Sequence, residues 1–434
     1  MTKKTKTILF LICLLAFTLL APSIVMYSQG YRLNFNPSEN GKMITQTGGV
    51  FLKVAPKQVD IYINDKLKKR TDFLFGSVLI ENLVPGKYKV EIKKTNSQEE
   101  YYSWQKTLAI QEKQVAEAKN IVLFPKNITF SSLSTNVEQL WLSPDQKKII
   151  LKENEKDSWA LKLYDLEKNI KSHLVNEEDF FVKEPQLIDL EFSNDSGSIT
   201  LEISIKETIQ SFSLDISQPK PSLKRKGIIP AKTANSLLQE QAGNDLYYLD
   251  NFGYLFKNKE KLAETPFSIK QETEYSLDVF NGNIFLKENS NLYKFNYDKK
   301  VFDNFFEGIS ILSLSPDGKK LLYASNNEMW VVFLEDKTDQ PQKKSGDKVF
   351  LIRLSDQITN ISWINDNYLA FLADNIIKII EIDDRDKINI IDVFETKNLL
   401  EEGNVNKMFW NRFDNKIYLF NEKGYLYSSN ILLP

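Results

Sequence analysis

LWLSPDQKKIIL, residues 140–151, and LSLSPDGKKLLY, residues 312–323, agree position for position in character. Each reads as an alternating apolar strand, a polar Ser-Pro-Asp turn, and a second apolar strand. LEFSNDSGSITL (190–201) and ISWINDNYLAFL (361–372) have the same form, and FWNRFDNKIYLF (409–420) has it more loosely. A third strand follows, as in ALKLYDLE, MWVVFLED and GYLYSSN. The turn aspartates are Asp145, Asp195, Asp317, Asp366 and Asp414. Neighbouring members lie about 50 residues apart, close to the repeat length of a β-propeller. The gap between Asp195 and Asp317 holds two further units, NDLYYLDNFGYLFK from Asn244 and GNIFLKENSNLYKFN from Gly282. The expectation is an all-β propeller of roughly seven blades over 127–434, within the usual range of about four to eight.

The last repeat is one strand short of the four in an ordinary blade, because the chain ends at Pro434. The segment NITFSSL (127–133) lies just before the first repeat, with apolar positions at Ile128 and Phe130. It is expected to pair with the last blade as its outermost strand and close the ring, since an open edge invites association.

Upstream the pattern is again β, in shorter units. VFLKVAP (50–56) and VDIYIND (59–65) alternate, with Val59, Ile61 and Ile63 on one face and Asp60, Tyr62 and Asn64 on the other. Asp65-Lys66 reads as a turn, and SVLIENLVPGKYKVEIKKT supplies two strands broken at Val84-Pro85-Gly86. YYSWQKTLAIQ and AKNIVLFP complete a small domain at 48–125.

The N-terminus opens with Lys3, Lys4 and Lys6, then runs apolar over 8–26. About 19 residues at a ~1.5 Å rise nearly cover a ~30 Å hydrocarbon core. The run exceeds a usual signal-peptide h-region, no A-x-A site follows, and Pro22 interrupts the place for one. The reading is an uncleaved anchor: a cytoplasmic tail at 1–7, a membrane helix at 8–27 and a juxtamembrane linker at 28–47. The lysines keep the N-terminus cytoplasmic and the bulk of the chain extracytoplasmic. Tyr27 and Tyr31 fall where an interfacial aromatic belt would lie.

Composition restricts the chemistry. Of 434 residues, 42% are hydrophobic and 26% charged, a globular profile, and the net charge of -2 argues against a nucleic-acid binder. Arg occurs only at Arg32, Arg70, Arg225, Arg353, Arg385 and Arg412, so bidentate anion recognition is sparsely equipped. The single cysteine, Cys13, lies in the apolar run, and the single histidine, His173, lies in a polar stretch read as an exposed loop. Intrachain disulfides, cysteine zinc sites and Cys–His dyads are thereby excluded, and a transition-metal centre is not expected. No phosphate-binding glycine loop occurs. Asp383-Asp384 and Glu401-Glu402 are candidate acids for a glycosidase carboxylate pair, but no spacing singles out a pair and they read as charged loops. The turn aspartates read as structural rather than metal ligands. No catalytic, cofactor-binding or metal-binding residue is assigned.

The small domain resembles the PEGA domain of bacterial envelope proteins. The resemblance rests on Pro56, Val59, Ile61, Ile63, Asn64 and Asp65, and on Leu83, Pro85, Gly86, Tyr88 and Val90. It departs at Lys66, where a turn glycine is expected, and at Asp72, where a proline is expected. Tyr88 and Trp104 are read as packed side chains rather than sugar-stacking platforms. The run of Ser315, Pro316, Asp317, Gly318, Lys319 and Lys320, with Ser143, Pro144, Asp145, Lys147 and Lys148, resembles TolB-like and WD40-like periplasmic propellers. Together the resemblances imply a membrane-anchored binding or scaffold protein of the bacterial cell envelope. It would engage protein or glycan through propeller loops, with no cofactor. The alternative is a carboxylate-based glycan hydrolase or lyase in the propeller channel.

Overall fold

The computed structural model describes residues 3–33, 43–95, 100–156, 158–182, 184–205, 208–218, 221–228, 236–399 and 403–433. Seven four-stranded antiparallel sheets follow one another along the chain, at 137–176, 186–228, 236–261, 275–307, 311–353, 358–395 and 405–429. The last holds three strands of its own and completes itself with Phe130–Ser134, which pairs antiparallel with Leu426–Ser429. The two ends of the repeat region therefore share one sheet, and the outer edge left open by the chain terminus is filled as expected.

Packing makes these sheets a ring. Ile150, Leu161 and Leu163 of the first sheet bury against Leu190, Leu201 and Ile203 of the second. Comparable apolar clusters join the third sheet to the fourth, the fourth to the fifth, the fifth to the sixth and the sixth to the seventh. The seventh meets the first through Tyr418, Phe420 and Leu426 against Val137, Leu140 and Ile149. Face-to-face packing of successive sheets, seen here at six of the seven junctions and across the joined chain ends, is the β-propeller arrangement.

The Ser-Pro-Asp turns join the first and second strands of the sheets. In the first sheet the Ser143 hydroxyl donates to Asp145 Oδ1 (2.6 Å), Asp145 Oδ1 accepts the Lys147 amide (3.0 Å), and the Ser143 oxygen accepts the Lys148 amide (3.0 Å). The same three bonds recur at Ser193-Asp195 and at Ser315-Asp317. The left-handed residue comes after the aspartate: Gln146, Ser196 and Gly318, with φ of 59°, 56° and 71°. Glycine is therefore a convenience at this position, and the Ser–Asp pair is what builds the turn.

Four of the turns also bond to the turn of the next sheet. Arg412 N donates to Gln146 Oε1 (2.7 Å), Asp145 N to Ser196 Oγ (3.1 Å), and Asp317 N to Asp366 Oδ1 (2.9 Å). Asn281 Nδ2 reaches the Gly318 carbonyl. Asp366 and Asp414 are not equivalents of the other three. Asp366 joins neighbouring sheets, and Asp414 accepts the Tyr418 hydroxyl (2.6 Å). Asn365 and Asn411 take the intra-turn role, accepting the amides of Asn367 and Phe413.

The small domain has two sheets around one core that includes Val50, Leu52, Ile61, Val90, Ile92 and Leu108. One orders Lys66–Arg70, Asp60–Ile63, Gly86–Lys93 and Trp104–Ile110. The other orders Ser77–Leu83, Gly48–Ala55 and Val115–Val122, with the last two parallel. The hairpin turn is Asn64-Asp65 rather than Asp65-Lys66, with φ of 48° and 62°. Both are residue types that tolerate the left-handed region, so Lys66 need not be glycine. Asp60, read as outward-facing, is buried because Arg70 grips its carboxylate at 2.7 and 3.1 Å.

Helix α1, Lys3–Ser28, is fully exposed along its apolar surface. The stretch read as a linker carries two short strands, Tyr31–Leu33 and Ile44–Gln46, that pair antiparallel.

Ring closure predicts the effect of a truncation. Ending the chain after Asn404 removes three strands of the seventh sheet, strands Phe130–Ser134 and exposes the first sheet's core face. The whole propeller, not one sheet, is expected to lose its cooperative thermal transition. An unchanged transition by calorimetry would refute the closure argument.

Candidate binding site

Two edge strands of the small domain, Trp104–Ile110 and Val115–Val122, face the fifth and sixth propeller sheets. An unpaired strand edge needs hydrogen-bond partners, and here propeller side chains supply them. Gln340 Oε1 accepts Glu117 N (2.9 Å) and Gln340 Nε2 donates to Val115 O (3.2 Å). Arg385 donates to Glu117 O (2.8 Å), Asp386 accepts Thr107 N (2.8 Å), and the Tyr368 hydroxyl accepts Val122 N (3.1 Å). Phe124 packs edge-on against Tyr368, with centroids 5.4 Å apart.

At the centre of this seam sits Lys106, whose side chain is fully buried. Its ammonium pairs with Glu381, which is 3% exposed, and donates to the Asp383 carbonyl (2.6 Å). Glu381 also accepts Trp104 Nε1 (2.8 Å) and the Asn389 side chain (2.8 Å) and amide (3.1 Å). Burial pushes the Glu381 carboxyl above the ordinary glutamate value, against the pull of Lys106 and Trp104. For Asp383, burial acts in the same direction but is outweighed by the Arg385 guanidinium and Lys106, and its pKa falls below the usual aspartate value. Asp383 lies in the charged loop read from sequence, and that loop is part of an interdomain network. Asp384 pairs with Lys343 (2.6 Å). Glu401 and Glu402 lie outside the described residues.

Beside the seam, the two domains enclose an open groove of about 980 Å³. One wall carries Lys53, Lys57, Lys94 and the phenyl rings of Phe73 and Phe75; the other is the propeller turn Asn365-Asp366-Asn367. Phe73, Leu74 and Phe75 stand 67%, 57% and 71% exposed. Asp72 holds them there. Its carboxylate accepts the amides of Leu74 (2.8 Å), Phe75 (2.5 Å) and Ser77 (2.9 Å), and the Ser77 hydroxyl (3.0 Å). The Phe75 and Ser77 amides hold its pKa down to about 2. A proline could not make these bonds, so the departure from the resembled pattern at Asp72 supports the loop by another route.

Other residues singled out from sequence fall elsewhere. Tyr88 packs on the small-domain core and donates to the Val84 carbonyl (2.7 Å). Trp104 is buried in the seam. His173 is exposed as expected, but on the strand Ile170–Asn176 rather than in a loop. Cys13 is exposed on α1. Glu240 and Asp278 lie on adjacent first strands of the third and fourth sheets. Burial raises both carboxyls, and the charge of Asp278 adds to the effect on Glu240. Among the described residues no group of three or more His, Cys, Asp or Glu side chains could hold a metal.

No protein-family model matches the chain. No curated protein matches it. Among solved structures, it is similar to the β-propeller domain of Myceliophteria thermophila Cps50 (Swd1), at 10% identity and TM-score 0.43, over 71% of this chain and 100% of that one. It is similar to the C-terminal WD40 domain of Sif2 at 12% identity and TM-score 0.42, over 70% of this chain and 98% of that one. Chaetomium thermophilum Raptor matches at 10% identity and TM-score 0.44, over 70% of this chain and 29% of that one. The propeller assignment itself rests on the sheet order and the closed packing described above.

Two predictions follow from the site's electrostatics. Lys106→Met leaves Glu381 buried without its cation and should destabilise the chain by about 3–5 kcal/mol. Adding Glu381→Leu should restore most of that loss in a double-mutant cycle read by urea denaturation. Independent, additive costs would disprove the coupling. For Asp72, the folded pKa lies below the unfolded one, so its contribution is present above about pH 4 and is lost as pH falls towards 2. Amide-exchange protection at Phe75 and Ser77 should fall across that window and be low at every pH in Asp72→Ala. Equal protection in the variant would refute the role of Asp72.

Proposed function

We propose that this chain is a single-pass, membrane-anchored scaffold of a bacterial cell envelope. In this reading a PEGA-like sandwich carries a seven-bladed propeller outside the cytoplasm, where it binds an envelope protein or glycan. The observation that carries the proposal is the seam. A buried Lys106–Glu381 pair and five edge-strand hydrogen bonds join small domain and propeller, with a groove at their junction. A flexible tether needs no such seam, whereas a binding surface composed of two domains does. Rigid surfaces bind with less ordering cost.

Anchoring is supported by α1. Among the described residues its apolar side chains are exposed, and the hydroxyls of Thr18 and Ser23 donate to Leu14 O (3.0 Å) and Leu19 O (2.7 Å). Internal satisfaction of polar groups is what a bilayer interior requires. Arg32, just beyond the helix, stacks its guanidinium 3.5 Å from the centre of the Tyr27 ring, an arrangement suited to the headgroup zone.

Protease added to intact spheroplasts should digest the domains beyond residue 47 and leave a fragment containing α1. Protection of the full chain until lysis would overturn the topology.

A further inference from the structure

We propose that the interdomain groove is a docking site for an acidic peptide segment bearing an aromatic or large aliphatic side chain. The inference rests on the scaffold reading and specifies its ligand.

The first argument is charge. Lys53, Lys57 and Lys94 line the groove, and among the described residues none of them has a carboxylate partner; Lys94 donates only to backbone carbonyls. The fourth lysine, Lys119, is already paired with Glu117 (2.7 Å) and Asp339 (3.4 Å). On the small-domain side, Asp60 is taken up by Arg70 and Asp72 by loop amides, and the one carboxylate among the described lining residues, Asp366 on the propeller wall, accepts the Asp317 amide, so three unpaired lysines outnumber it. The occupant is therefore anionic.

The second argument is apolar. Three consecutive large hydrophobic residues are held outward by a carboxylate clamp rather than folded into the adjacent core. Loops with free choice bury such residues. A preformed, rigid apolar tip beside a concave surface is the form of a side-chain pocket in an interaction site.

The third argument separates a peptide from a lipid surface. Lys53 pairs with Ser77 at the groove end of the sheet, and Gly48 pairs with Leu83 at the end where α1 joins. Five residues of strand at ~3.3 Å each hold the groove end roughly 16 Å further along the sheet than that junction. The Asn365–Asn367 turn also walls the groove on its propeller side. A flat bilayer cannot enter between two walls, whereas an extended chain can.

The test uses the full chain in nanodiscs and a fluorescein-labelled peptide of alternating Glu and Phe, with a Lys/Phe peptide as control. Saturable binding of the acidic peptide alone is expected. It should weaken at least about tenfold in Phe73→Ser/Phe75→Ser and in Lys53→Glu/Lys57→Glu, and weaken as salt rises. Because both pairs of side chains are exposed, the variants should keep the parent's thermal transition. Absence of saturable binding, or binding unchanged in both variants, overturns the proposal. So does co-sedimentation with phosphatidylcholine/phosphatidylglycerol vesicles that needs Phe73 and Phe75 while peptide binding does not. A photo-crosslinker placed at Phe73 or at the opposite propeller face in native cells separates the two claims. Crosslinks to acidic segments at Phe73 support the groove. Crosslinks only at the opposite face refute the groove but keep the scaffold, and none at either position refutes both.

Discussion

The pairing of Phe130–Ser134 with Leu426–Ser429 is the constraint on which the rest depends. Every sheet of the ring is stabilised by apolar contact with at least one neighbour, so an open ring leaves apolar faces in water. A ring of sheets is closed by joining its first and last members, and hydrogen bonds between strands do so in a fixed register. Because the closing strand precedes the first sheet, the small domain is delivered directly to the seam. Phe124 and Ile128, on the way to that strand, already bury in the cluster between the sixth and seventh sheets.

A second level of order comes from the turns. The same Ser–Asp hydrogen bonds that shape a turn leave the aspartate amide free to bond to the next sheet. Asp145 and Asp317 both do this, to Ser196 and Asp366. A local device thus also connects neighbours, which explains why the residue pattern survives where the glycine does not. Burial opposes the charge on Asp145, but the Ser143 hydroxyl and Lys147 amide outweigh it and keep its pKa low.

The interdomain seam joins two parts with different needs. The small domain has open strand edges, and the propeller loops carry carboxylates and amides that can fill them. The buried ion pair at the centre is a poor source of net stability by itself, since desolvation offsets much of the attraction. Its effect is specificity: Lys106, Trp104 and Asn389 satisfy Glu381 only when the domains sit in one register. That fixed register is what creates the groove.

Local pattern was enough to read the strand pairs, the repeat spacing, the two degenerate units near Asn244 and Gly282, and the missing strand of the last sheet. Alternation and turn chemistry are set by residues within a few positions of one another. The apolar character of α1 was legible for the same reason. Only the tertiary structure decided the rest. Lys106 is one lysine among many in sequence, and its burial follows from a contact with Glu381 across most of the chain. Phe73, Leu74 and Phe75 carry no mark in the sequence that would set them outward, and their exposure depends on Asp72 accepting amides that follow it. His173 reads as a loop residue because its neighbours are polar, yet it sits on the outermost strand of the first sheet, paired with Ser158–Asp165. Charge pairing and exposure are properties of distant neighbours, and a single sequence does not show which neighbours those are.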